Sequence, residues 1–232
     1  QSLIKEIVTQ DLQLDPKRFE PKKIRWAISN AKNQGILPDQ FEVNAEGQRN
    51  KLIAETYKLY KRALAANNAL DFDDLLLIPV ELLKQNKSVR EYWHNRFKHI
   101  LIDEYQDTNW TQYELIKLLV TNGEAPNVFN QWTNRSVFVV GDADQSIYSF
   151  RAADFRILIG FQEDFGERNK EKSSSTIVKL EDNYRSTSTI LEAANVLISN
   201  NKERLEKILK ATRGEGELIK LTRCDDEISE AE

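Results

Sequence analysis

Methionine is absent from the 232 residues, cysteine occurs once, at Cys224, and histidine twice, at His94 and His99. A single thiol excludes an internal disulfide framework and suits a reducing cytoplasm. Two histidines exclude a histidine-rich zinc site, and both read as ordinary surface or strand-flank residues. Position 1 is glutamine, so the sequence is expected not to begin at a natural start. Glycine is never followed by lysine, so the phosphate-cradling pattern G-x-x-x-x-G-K-[ST] is missing. The longest uninterrupted apolar run, Leu75 to Val80, is far too short to span a bilayer. No signal peptide opens the sequence, and no membrane association is expected.

What is present suits a globular protein: 40% hydrophobic and 30% charged residues, enough for one large domain or two small ones. The formal charge of −4 argues against a nucleic-acid partner, but its distribution softens that. Residues 1–70 carry 12 Lys and Arg against 8 Asp and Glu, a net of +4, so residues 71–232 carry −8. In the basic part, Lys17-Arg18-Phe19 and Lys22-Lys23-Ile24-Arg25-Trp26 interleave cations with aromatics. Such a pattern grips phosphates and lies against bases; it equally describes a solvated helix face with buried rings.

Chemistry concentrates at two places. Ile100-Leu101-Ile102 is a short apolar run ending in Asp103-Glu104, then Tyr105-Gln106-Asp107-Thr108-Asn109, and then helical spacing at Trp110, Tyr113, Ile116 and Leu119. The pattern predicts a buried strand feeding a helix. Val137 to Val140 repeats the arrangement and ends in Gly141-Asp142-Ala143-Asp144-Gln145-Ser146. Ligands bind beyond the carboxyl ends of strands in open α/β sheets. Two acids at that edge can hold magnesium and polarise a water, the tasks of nucleotide hydrolysis. Asp-Glu after a strand is also commonly a solvated turn; the second copy is what favours function.

Helical spacing predicts helices over 1–14, from Pro21 to about Ala31, and from Arg49 to Ala66, with Gly35 and Pro38 marking a loop. Nothing before residue 70 reads as a strand. Asp71-Phe72-Asp73-Asp74 reads as a helix N-terminus, where acids suit orphan amides, with a metal site as the minority reading. Residues 121–136 are expected to form a mobile surface insertion. Ser146 to Arg151 offers Tyr148, Phe150 and Arg151 as a stacking platform for bases, against the alternative that both rings are core. A helix is expected from Ala153 to Phe161, a domain boundary within 166–175, strands at Ile177–Leu180 and Leu218–Thr222, a helix from the Ser186–Thr189 cluster to Ser199, and the start of another after Asp225.

Ile102 to Asn109, Val140 to Tyr148, and Asn183-Tyr184-Arg185-Ser186 resemble, in order and spacing, three successive motifs of superfamily 1 DNA helicases of the UvrD/Rep/PcrA group. The resemblance covers essentially the whole chain. It implies an α/β fold: part of a RecA-like (P-loop NTPase) parallel-sheet domain, a helical insertion, and the beginning of a second RecA-like domain. On that template residues 1–70 are the end of the helical insertion, 71–172 the latter part of the first RecA-like domain, and 173–232 the linker and start of the second. The implied activity is ATP-dependent movement 3′ to 5′ on single-stranded DNA, with unwinding at junctions with duplex, in the cytoplasm, and with ATP and Mg2+. Asp103 would hold magnesium, Glu104 would activate water, and Gln145 would sense the γ-phosphate. Arg185 would act as an arginine finger and Tyr184 would lie against adenine. Tyr148 and Phe150 would stack on bases, with Arg151 in support. Phe150 stands where the family usually has tryptophan, and Ala152 where it usually has glycine. The phosphate loop is expected before residue 1 and further motifs after residue 232. The competing readings are a catalytically silent DNA- or partner-binding module, a metal-dependent nuclease built on Asp71, Asp73, Asp103 and Asp142, and the helicase subunit of a recombination nuclease.

Overall fold

The computed structural model describes residues 2–166, 177–201 and 207–231. The chain forms two compact units, Gln1–Gly166 and Glu167–Glu232. Both are mixed α/β, each with a two-stranded parallel sheet. Residues 167–176, which include most of the expected boundary, lie outside the described residues. Among the described residues no helix is long and apolar enough to cross a membrane.

The first unit opens with helices only: α1 (Ser2–Glu6), α2 (Pro21–Asn33), α3 (Pro38–Val43) and α4 (Gly47–Ala66). The helical spacing of 1–14 does not give one α-helix. After Glu6 the chain widens into a π turn over Ile7–Asp11, with the Leu12 amide donating to the Ile7 carbonyl at 2.9 Å. The segment at Pro38, expected as loop, is a short helix. Proline sits in its first turn, where no amide is needed, and the Leu37 amide donates to Gln40 Oε1 at 2.9 Å. Ile4, Val8, Ile24, Ile28, Ile53 and Tyr57 form the core of this part.

Helices α5 (Asp74–Gln85) and α6 (Lys87–Arg96) lead to β1 (His99–Ile102). Then follow α7 (Trp110–Thr121), β2 (Ser136–Val139) and α8 (Arg156–Phe165). Asp71 and Asp74 do open a helix: the Asp74 amide donates to Asp71 Oδ1 at 2.9 Å. Lys32, only 2% exposed, donates to both carboxylates at 2.7 Å and fastens α2 to α5. Burial pushes the Asp71 carboxyl up, and the Lys32 ammonium, the Asp74 amide and the Tyr60 hydroxyl outweigh it, so it sits below the usual range. The Thr111 hydroxyl donates to the Lys32 carbonyl at 2.6 Å and ties α7 to the same point.

Strands β1 and β2 pair in parallel, Ile102 opposite Val139. The expectation of a buried strand is corrected: Ile100, Ile102, Val137 and Val139 are half-buried, whereas Leu101 is 72% and Phe138 57% exposed. One face packs on Tyr105, Tyr113, Ile157 and Leu158; side chains alternate across a strand, so the other face points away from that core.

Two further expectations change here. The 121–136 segment carries no helix or strand between α7 and β2, yet it is pinned. Phe129 is buried, edge-on to His94, and Arg135 donates to the carbonyls of Phe97 and His94 at 2.9 and 2.5 Å. His94 is therefore a core residue, because its ring closes α6 onto this segment. His99, the first residue of β1, is exposed as expected.

In the second unit, β3 (Asp182–Thr187), α9 (Ser188–Ile198), β4 (Lys210–Arg213) and α10 (Glu227–Ala231) follow. Strands β3 and β4 are parallel, with Asp182 opposite Lys210. The strands expected at Ile177–Leu180 and Leu218–Thr222 are not formed. Val178, Leu180, Leu218 and Leu221 are 73% or more exposed. Pairing goes instead to the polar segments 182–187 and 210–213, where Lys210 also bonds Glu181 at 2.8 Å. Asn183-Tyr184-Arg185 therefore lies within a strand rather than after one.

Candidate active site and an adjoining groove

The carboxyl ends of β1 and β2 bring the two acidic stretches side by side. The ladder runs on past the strands: the Val140 amide donates to the Ile102 carbonyl at 2.8 Å, and the Tyr105 amide to the Val140 carbonyl at 2.9 Å. Asp103 is exposed, and its Oδ1 accepts the Glu104 amide at 2.9 Å. Glu104 is left-handed, with φ 50° and ψ 42°. That conformation is uncommon for a non-glycine residue and strained conformations cluster at functional sites.

One side chain connects the two stretches. Gln106, 2% exposed, donates through Nε2 to Glu104 Oε2 at 2.7 Å and accepts the Asp142 amide on Oε1 at 3.0 Å. The Ser146 hydroxyl donates to the Gln106 carbonyl at 3.3 Å. Gly141 leaves room for this side chain, since a Cβ there would stand 2.7 Å from Gln106 Oε1. Asp142 in turn accepts the Asp144 amide on Oδ1 at 3.1 Å and Gln145 Nε2 on Oδ2 at 2.7 Å. Glu104, Gln106, Asp142 and Gln145 thus form one continuous chain of hydrogen bonds. Burial first, and the Glu104 charge second, hold the Asp107 carboxyl above its ordinary value.

The donor set bears on metal binding. Among the described residues no group of three or more His, Cys, Asp or Glu could hold a metal ion. Magnesium bound through one or two carboxylates and the phosphates of a nucleotide needs no such cage, and Asp103 fits that mode. The nuclease grouping is corrected: Asp71 is engaged by Lys32, and Asp73 Oδ1 accepts Asn33 Nδ2 at 3.0 Å, so both serve the α2–α5 junction.

Beyond Gln145 the chain borders a groove of about 670 Å³ between α2, the start of α5 and the start of α7. Four aromatic residues line it: Trp26, Phe72, Tyr148 and Phe150, exposed by 60%, 89%, 37% and 63%. The Tyr148 and Phe150 rings lie 5.7 Å apart, tilted by 48°. Neither is core, which removes that alternative. Asn33 and Asn109 join across the groove wall at 2.6 Å, and Asp107 Oδ1 is buried there without a hydrogen-bond partner among the described residues. Ala152, closing the segment, is left-handed at φ 60°. For that reason, and because the Asp154 amide is drawn to the Thr108 carbonyl at 3.0 Å, α8 starts at Arg156 instead of Ala153. The side chain of Arg151 lies outside the described residues.

Tyr184 and Arg185 belong to the second unit, and both are exposed. Asn183 Oδ1 accepts the amides of Arg185 and Ser186 at 3.0 and 2.8 Å, which fixes the backbone beneath them. Sequence reasoning gave no role to Gln106 or Phe72. Their nearness to the acids and the rings comes from tertiary contacts that no periodicity encodes.

The family profile described as UvrD/REP helicase N-terminal domain matches residues 1–166, and that described as UvrD-like helicase C-terminal domain matches residues 178–232. The chain is 40% identical over 231 residues to the ATP-dependent DNA helicases PcrA of Staphylococcus aureus and Staphylococcus epidermidis. Each alignment takes in 100% of this chain and 29% of the relative, so the chain spans less than a third of the length of these relatives.

Proposed function

The chain belongs to the UvrD/REP helicase family, and from that premise we propose that it is a segment of an ATP-dependent helicase moving 3′ to 5′ on single-stranded DNA. On this reading the first unit holds the insertion and the latter part of one RecA-like domain, and the second unit opens another. The protein acts in the cytoplasm at junctions of single- and double-stranded DNA. The observation that carries the reading is the joining of Asp103-Glu104 to Asp142–Gln145 at one sheet edge through Gln106.

Each residue has a task suited to its chemistry. Asp103 would hold magnesium, which would supply positive charge to offset the charge of the nucleotide's phosphates. Glu104 orients the attacking water and accepts its proton. Gln145 faces the γ-phosphate. Tyr184 lies against the adenine, and Arg185 stabilises charge on the transferring phosphoryl, a task that suits a planar, permanently charged guanidinium. Tyr148 and Phe150 offer partly exposed rings to DNA bases, with Arg151 on the same segment. The 232 residues contain no Gly-Lys pair. A chain without that phosphate grip does not turn over ATP by itself, so the decisive test uses the full-length protein.

In that protein Glu104→Gln should cut DNA-stimulated phosphate release to a small residual rate and leave nucleotide binding in place. DNA-stimulated turnover at the wild-type rate in Glu104→Gln would overturn the assignment. It would favour the alternative of a catalytically silent DNA- or partner-binding module.

A further inference from the structure

We propose that Gln106 is a positioning residue that holds the Glu104 carboxylate for catalysis and couples it to the segment bearing Gln145. The inference rests on the hydrolase reading above and adds to it a residue that acts only through another.

Three observations carry it. First, the Gln106 amide spends both its ends: Nε2 on Glu104 Oε2 at 2.7 Å, and Oε1 on the Asp142 amide at 3.0 Å. Second, the site is built around that side chain. It is 2% exposed, and Gly141 leaves room for Oε1 where a Cβ would stand 2.7 Å away. Third, the residue it holds is conformationally unusual. Glu104 is left-handed, a conformation uncommon for a non-glycine residue, and the bond from Gln106 Nε2 fixes the direction of its side chain. No other standard side chain of this length both donates and accepts in a fixed plane. Glutamate keeps the acceptor end but turns a second carboxylate on Glu104. Leucine fills the volume and makes neither bond.

The chain of bonds continues through Asp142 Oδ2 to Gln145 Nε2 at 2.7 Å. When Gln145 turns to a γ-phosphate, that bond must rearrange. The change reaches Glu104 through Asp142, whose backbone amide bonds Gln106 Oε1, and then through the Gln106 side chain. Water activation is thereby made conditional on a phosphate being engaged at the neighbouring strand end.

The test uses the full-length protein in four forms: wild type, Gln106→Glu, Glu104→Gln and the double variant. Gln106→Glu is nearly isosteric, and a melting curve verifies that it folds. Gln106→Glu should lower kcat about 10–100-fold, the range for residues that orient a functional group, with KM for ATP and affinity for single-stranded DNA within about twofold of wild type. In the Glu104→Gln background, Gln106→Glu should cause no further fall in residual turnover, because two groups acting as one unit are not additive. A full additional loss there would assign Gln106 a structural role and overturn the inference. So would an unchanged kcat beside a severely slowed Glu104→Gln, which leaves the hydrolase reading intact. Wild-type turnover in Glu104→Gln itself would overturn both together.

Discussion

Replacing Phe150 by alanine separates a ring that meets DNA from one that merely packs. The ring is 63% exposed, so only about a third of its surface leaves water on folding. Burying a whole phenylalanine is worth ~1.5–3 kcal/mol, so truncation here should cost roughly 0.5–1 kcal/mol. A change of that size moves the midpoint by about 1–4 °C in a protein of this size. Stacking of a base on an aromatic ring is worth ~1–3 kcal/mol, so affinity for single-stranded DNA should fall about 5- to 150-fold. Phe150→Trp should keep or strengthen binding, since it enlarges the ring without requiring new space in a core. The assays are thermal melting and anisotropy titration of a dye-labelled oligonucleotide, run on both variants. A core phenylalanine would behave differently, losing ~3–5 kcal/mol on truncation. A midpoint lowered by more than about 10 °C, with unchanged DNA affinity per folded molecule, would refute the stacking role.

Ala152→Gly should stabilise the chain. Relief of a left-handed alanine at φ 60° recovers about 1–2 kcal/mol, against ~0.5–1 kcal/mol for the added freedom of glycine when unfolded, and a midpoint that falls instead of rising would contradict this. His94 should make the fold sensitive to acid. Burial first, with the Arg135 charge, holds its pKa below the ordinary 6.5 despite the Leu119 carbonyl and Glu124. A lowered folded-state value means stability is fully present above pH 6.5 and is lost as pH falls through that lowered value. The melting midpoint should therefore drop from pH 6.5 downward, and His94→Gln should flatten that slope; an unchanged slope would remove His94 as its source.

What the sequence made legible, and what it did not, follows from the range of the interactions. The acidic turns were legible because everything that makes them is local: an apolar run, an abrupt end and a helix start within a few residues. Helices α2, α4, α5 and α7 were legible for the same reason, since amphipathic spacing and, in α2 and α5, a proline or acid at the start act over single turns. The failures sit where a local signal needs a distant partner. Ile177–Leu180 and Leu218–Thr222 have strand composition, yet a strand exists only as a ladder, and the ladder formed between 182–187 and 210–213. His94 read as a surface residue because its burial is made by Phe129, 35 positions away, in a stretch whose polar composition suggested a loose loop.

The site divides along the same line. Asp103, Glu104 and Gln145 can be named from sequence because strand ends deliver them, and Phe150 because aromatic and basic residues follow at once. Gln106 could not be given a role from its neighbours. Its two bonds reach Glu104, two residues before it, and the Asp142 amide, 36 residues after it, and only the parallel pairing of β1 with β2 puts those groups within one amide's length. The consequence is specific. A substitution that leaves every acid in place but displaces the Gln106 amide from the two strand ends should slow turnover about 10–100-fold, as loss of that amide itself should. Gly141→Ala is such a substitution, because its Cβ would stand 2.7 Å from Gln106 Oε1; phosphate release by the full-length variant at the wild-type rate would refute this.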